Sequence, residues 1–338
     1  MENKKKISGW TKSIFLASIM AAIFRALYLA NDTFIMHQII VSADLFTAVS
    51  VYLIIGGWIG TFCTLIYNSF LGKWLDKEYP GFNFGTKKMQ LFAAISGIIA
   101  AGSTTFCLIG NQSLDPSLVI SLSNLSILYL AIYDGIRGSI SIKKFWFPAL
   151  IVILGSIFAS TTKITGGLQV TLLGILILLI GQCGTDALEK IIRQRGVWNS
   201  DAVTFTFWRF LWLSVSGTIF VIVISLLRGT FYTLLELLIF IFLPAFPWIL
   251  LTMLFVFFFN TLFQKAIKNG TVSKVSLILN ISIILGIPIA LFGDWLKPGI
   301  FGEVPSDFLT WIVRTLGIIL IISGIILINK KKESSLNK

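Results

Sequence analysis

The sequence predicts an all-α integral membrane protein: ten transmembrane helices forming two inverted five-helix repeats. Three observations predict it. The 338-residue chain, 56% hydrophobic and 12% charged, alternates apolar stretches with short polar breaks. Each stretch has about the 20 residues that a helix needs to cross a hydrocarbon core of about 30 Å. Of the 27 Lys and Arg residues, 21 fall on one side of the resulting topology. A polar pattern in the fourth span recurs 156 residues later in the ninth.

The first span, 13–31, follows Lys4, Lys5, Lys6 and Lys12. No short apolar core with a small-residue cleavage site comes after them, so the span is expected to stay as a membrane helix. Spans 44–70 and 89–109 are joined through Lys73, Lys77, Lys87 and Lys88, and 116–134 leads to 145–162 through Arg137, Lys143 and Lys144. Span 168–188 precedes Lys190, Arg193 and Arg195. Spans 202–227 and 237–260 follow, then Lys265, Lys268 and Lys274, then 274–292 and 308–328, with Lys330, Lys331, Lys332 and Lys338 in the tail. The opposite connections hold only Lys163, Arg228 and Lys297. Because basic residues mark the cytoplasmic side, both termini are expected inside a cell membrane.

The acids sharpen this asymmetry. Asp32, Asp44, Asp115, Glu236, Asp294, Glu303 and Asp307 fall on the outer connections, giving an acidic outer face. The formal net charge of +12 is then a topology signal held against anionic inner-leaflet lipid. Nucleic acid is not an expected partner, because no basic aromatic module presents a groove.

Composition also removes chemistries. His37 is the one histidine, which excludes a histidine-based metal cluster and a Ser-His-Asp triad with a spare base. Cys63, Cys107 and Cys183 all fall within spans, an odd number that builds no paired extracellular framework. No Gly-x-x-x-x-Gly-Lys-Ser/Thr loop is present, so transport would be secondary or passive and no cofactor is expected.

Shifting the chain by 156 residues places Ser117, Val119, Asn124, Ser126 and Ile127 on Ser273, Val275, Asn280, Ser282 and Ile283. Five spans separate the copies, so they run in opposite directions, the arrangement of inverted-repeat transporters. Further fragments occur in a familiar order: Ile132-Tyr133-Asp134, Gln264-Lys265-Ala266-Ile267-Lys268, Phe292-Gly293-Asp294, and Gly317 with Gly324 around an apolar run. On these, the chain resembles the drug/metabolite transporter superfamily, specifically its tandem EamA-type repeats, which would span 10–162 and 168–330. Asp stands where that family usually has Glu, and Pro148 where the second half has Gly317, so this is a divergent member. The resemblance implies alternating-access transport of an amino acid or related metabolite.

Polar residues inside spans are kept mainly where they face protein or water. Asn124 and Asn280, one from each repeat, are expected to bind substrate, since each amide offers two donors and an acceptor. The competing role is to hydrogen-bond across a helix interface. Ser121 shares a face with Asn124, Tyr129 follows it by five residues, and Asn260 is a third polar candidate. Ser126 and Ser282 point elsewhere and assist packing. Aligning the first span with the sixth puts Arg25 over Asp186, an expected ion pair or gate, with a substrate anion as the other partner for Arg25. Arg209, beside Trp208 and Trp212, reads as a cytoplasmic-side anchor, and Arg314 as a snorkelling cation. Ser96, Gly97, Ala101, Gly102 and Ser103 supply a close-packing face. Pro244, Pro247 and Pro288 permit kinks.

The expectation is therefore a secondary transporter of a small polar metabolite, with substrate and membrane lipid as partners and a homodimer allowed. The alternatives are a polytopic membrane enzyme using Asp32 and Asp44, for which the chain lacks a sizeable external domain, and a non-transporting scaffold or channel.

Overall fold

The computed structural model describes residues 12–41, 44–123, 125–136, 142–159, 161–163, 169–170, 176–198, 200–270, 272–302 and 307–336. In chain order the helices are α1 (Lys12–Gln38), α2 (Leu45–Leu75), α3 (Lys87–Ser113), α4 (Pro116–Ser123), α5 (Ser126–Ile136) and α6 (Ile142–Ala159). A small antiparallel ribbon of β1 (Thr161–Lys163) and β2 (Gln169–Val170) follows. A π-helical turn, Ile177–Gln182, then runs into α7 (Cys183–Val197). The remaining helices are α8 (Ala202–Leu227), α9 (Phe231–Asn269), α10 (Val272–Leu279), α11 (Ile281–Leu296) and α12 (Phe308–Leu336).

The chain is a membrane-embedded helical protein. Five helices among the described residues are long and apolar enough to cross a membrane: Ile14–Gln38, Leu45–Leu75, Lys87–Gln112, Ala202–Leu227 and Phe231–Asn269. Shorter apolar helices cover the segments around 116–130, 150–159, 282–296 and 308–324. Phe62, Phe70, Ile219, Phe240, Leu243 and Trp295 lie on the outer surface, while Arg193, Lys190 and Arg314 are among the largest fully buried side chains. That inversion of ordinary soluble packing is what lipid demands, since apolar groups face the tails and charges must find partners inside.

Local chemistry sets the helix ends. Asp44, Thr86 and Asp201 cap α2, α3 and α8, each accepting a hydrogen bond from the backbone three residues on. Burial works against charge on Asp44, but hydrogen bonds from Thr47 and Arg228 hold its carboxyl below the ordinary value. Pro148, Pro244, Pro247 and Pro288 are accommodated within α6, α9 and α11.

Two span boundaries and one pairing that bear on the interior need correction. Helix α1 continues to Gln38, so Asn31-Asp32-Thr33 is helical and Asp32 is buried, not part of an outer loop. Helix α7 continues to Val197, so Glu189, Lys190 and Arg193 are interior groups and not a solvated connection. Asp115 and Arg314, read as an outer acid and a snorkelling base, form a buried pair at 2.6 Å. Arg314 also donates to Ser117 Oγ at 3.0 Å and to the Thr161 carbonyl at 2.8 Å.

Helices α6 and α12 cross without room for side chains. A Cβ at Gly155 would lie 2.7 Å from the Gly317 carbonyl, one at Gly317 would lie 2.4 Å from Ala159 N, and one at Gly324 would lie 2.9 Å from the Pro148 carbonyl. Since apolar burial drives little association in lipid, such backbone approach is what holds the pair. Gly317→Val should therefore lower the stability of the purified protein by about 1–3 kcal/mol or more. Gly102→Ala, at a position with open space, should leave the melting temperature unchanged.

Candidate functional site

A cavity opens in the interior of the bundle, with about 890 Å³ of space including its mouth. Six helices wall it: α1 through Arg25, Tyr28 and Asp32, α2 through Tyr52, α3 through Ser103 and Cys107, α7 through Asp186, Glu189 and Arg193, α8 through Arg209, and α9 through Thr252 and Asn260.

The α7 wall follows from helical periodicity. Asp186, Glu189, Lys190 and Arg193 stand at i, i+3, i+4 and i+7, so all four share one face. Glu189, Lys190 and Arg193 on that face are buried and Asp186 is partly so, whereas Leu188 points outward. Glu189 is the hub, accepting from Arg209 Nε and from Ser96 Oγ, with Arg193 Nη1 3.6 Å away. Arg193 donates to Asn260 Oδ1 at 2.6 Å and lies over the Phe263 ring at 4.9 Å. With its nitrogen toward the Ala202 carbonyl, Gln264 gives Arg193 a further acceptor at 3.2 Å. Gly97 makes this cluster reachable: a Cβ there would be 2.6 Å from Trp212 Cβ and 2.8 Å from the Arg209 carbonyl, so α3 lies directly against α8.

Before α7 the chain makes its π turn, which carries Gln182 to the cavity wall. An extra residue per turn re-aims the side chains after it, a device found often at functional sites.

The cations also stabilise an interrupted helix. Helix α4 ends at Ser123, where the regular helical ladder gives way to a tighter turn with Leu125 N–H on the Leu122 carbonyl at 3.0 Å. Arg25 donates to the Ser123 carbonyl at 3.1 Å, a favourable place for positive charge at a helix C-terminus. Cys183 Sγ reaches the Leu122 carbonyl at 3.1 Å, and Lys190 donates to Ser126 Oγ at 2.8 Å while pairing with Asp186 at 2.6 Å.

Arg25, Asp186 and Asn260 thus come together around one cavity, but Arg25 and Asp186 do not pair directly. Lys190 is the partner of Asp186. Ser121 donates to its own helix at the Ser117 carbonyl, and Tyr129 donates to the Leu179 carbonyl at 2.9 Å, both outside the cavity lining. Asn280 is buried between α10 and α11, away from that lining, and neither amide atom has a partner among the described residues. Asn124 lies outside the described residues. Tyr52, Glu189, Arg193 and Arg209 are among the cavity residues that the sequence does not single out as site groups, and Asp32, which the sequence offers only as an outer-loop acid, joins them. The sequence does carry a signal for α7, since residues 186, 189, 190 and 193 have the spacing of one helix face.

No protein-family model matches this chain, and no curated protein matches it either.

The Glu189 cluster generates a stability prediction. Glu189→Gln leaves two arginines without their counter-charge and should destabilise the protein by about 3–5 kcal/mol. The double variant Glu189→Gln with Arg209→Gln should recover part of that loss in thermal unfolding of the purified protein; no recovery would mean that the two side chains do not act as a pair. Asn280→Leu, which removes an unpartnered buried amide, should cost little stability.

Proposed function

We propose that the chain is a secondary transporter that moves a small polar metabolite across the cytoplasmic membrane by alternating access. One observation carries the reading: a charge-lined cavity inside a membrane-embedded bundle, walled by α1, α2 and α3 from the first half and α7, α8 and α9 from the second. Ionisable groups within a membrane bundle mark solute pathways more often than scaffolding. The EamA-type resemblance is part of the proposal, and so are ten spans, inverted repeats and cytoplasmic termini.

The interruption of two helices supports the repeat. The break between α4 and α5 falls between Ser123 and Ser126, and the break between α10 and α11 falls at Asn280, at the same place in the two copies after a shift of 156 residues. Discontinuous helices at corresponding positions are a feature of inverted-repeat carriers. Arg25 is the group to receive a substrate anion, since no carboxylate pairs with it among the described residues.

Purified protein reconstituted in liposomes should show saturable uptake and counterflow of members of a radiolabelled panel of amino acids and small peptides. Arg25→Gln should reduce that flux at least tenfold with normal membrane insertion. Non-saturating flux far above carrier turnover would identify a pore and end the carrier reading. Single cysteines at Lys77 and Lys268, in a background lacking the native three, should resist an impermeant thiol reagent in intact cells; labelling there would overturn the orientation.

A further inference from the structure

The charges around the cavity do not all neutralise one another. Among its carboxylates, Glu189 is held by Arg209 and Arg193, and Asp186 by Lys190. Asp32 is the exception. It receives the Tyr52 hydroxyl and faces the Thr252 hydroxyl, with no cation on it among the described residues. Among the cations, Arg25 is the mirror exception: it forms no ion pair among the described residues, its contacts being a backbone carbonyl and the face of the Phe259 ring, with Asp186 acting on it only at longer range and Nε unpartnered. Both line the cavity, both are more than nine-tenths buried, and both sit on α1.

From these two exceptions we infer that the cavity binds a zwitterion about the length of a dipeptide, its carboxylate on Arg25 and its ammonium group on Asp32. Seven residues separate the two, which is two helical turns and about 10 Å of rise along one face of α1. Tyr28 lies between them on that face and lines the same cavity. Cα–Cβ bonds tilt toward the helix N-terminus, so the longer Arg25 side chain sets out away from Asp32.

Length then discriminates. The nitrogen and carboxylate carbon of an α-amino acid are ~2.5 Å apart, and a second residue extends this to ~6 Å. Adding a charge-assisted hydrogen bond of ~2.8 Å at each end gives spans of ~8 Å and ~12 Å. Only the longer solute bridges Asp32 and Arg25. An ω-amino acid of the same length carries the same two charges, so either a dipeptide or such a compound satisfies the site chemically. This inference rests on the carrier reading for its biological meaning, but its test reads binding alone.

The test is a thermal-shift and calorimetric titration of the purified full-length protein with glycine, diglycine, 5-aminopentanoate, N-acetyl-diglycine and diglycine amide. Diglycine or 5-aminopentanoate should bind at least tenfold more tightly than glycine, and blocking either end should cost at least tenfold. If 5-aminopentanoate equals diglycine, the site reads charge spacing alone; if diglycine binds better, it also reads the peptide group. Arg25→Gln should erase the difference between diglycine and its amide, and Asp32→Asn the difference between diglycine and its N-acetyl form, assigning each end to its residue. Should either variant fail to fold, the end-block comparison on the unmodified protein decides alone.

Glycine binding within threefold of diglycine, end-blocked forms binding equally well, or no binding across the series would each overturn the proposal and leave the flux assay to judge the carrier. Tight diglycine binding with no flux in liposomes would retain the zwitterion site and sink the carrier.

Discussion

A charge placed at hydrocarbon depth is tolerated only when protein supplies what water would have supplied, and the architecture of this bundle follows from that requirement. Arg193, Arg209, Lys190, Arg314, Asp115 and Glu189 are all buried, and each finds its counter-charge on another turn or another helix. Such pairs add little net stability compared with an apolar core, yet breaking one leaves a bare charge in a low-dielectric interior. They therefore act as registration points. Glu189 locks α7 to α8 and α3, and Asp115 with Arg314 locks the start of α4 to α12.

The same logic explains how broken helices survive inside the bundle. Ending α4 at Ser123 releases carbonyls that lipid cannot satisfy, and Arg25, with Cys183, supplies donors to them. The corresponding break at Asn280 is different, because its side-chain amide is buried without a partner among the described residues. Among the described residues, the first break is held by charge and the second is not.

Close backbone approach complements the ion pairs. The glycine crossing of α6 and α12 and the seating of Gly97 against α8 bring backbones directly together. In lipid this geometry replaces the hydrophobic drive of a soluble core, because tails and leucines are alike to a helix surface. Polar contacts set register, and small residues set the distance between backbones.

The amino-acid sequence by itself determined the membrane-embedded helical class, because runs of about 20 apolar residues have one economical solution in lipid, and that solution is local to each segment. It also placed Gly97 on a close-packing face, and Arg25, Asp186 and Asn260 among the polar groups of interest, since a small residue, a charge or an amide inside an apolar run is visible without coordinates. Tertiary structure decided the rest. Whether a charge next to a span is solvated or interior depends on how far the helix continues and what packs on it, so Glu189, Lys190 and Arg193 read as a loop until α3, α8 and α9 closed around them. Whether Asp32 belongs to an outer rim or a cavity depended on the last two turns of α1. Partner choice is likewise nonlocal: nothing in the spacing of residues 186 and 25 reveals that Lys190, one turn along the same helix, reaches Asp186 first.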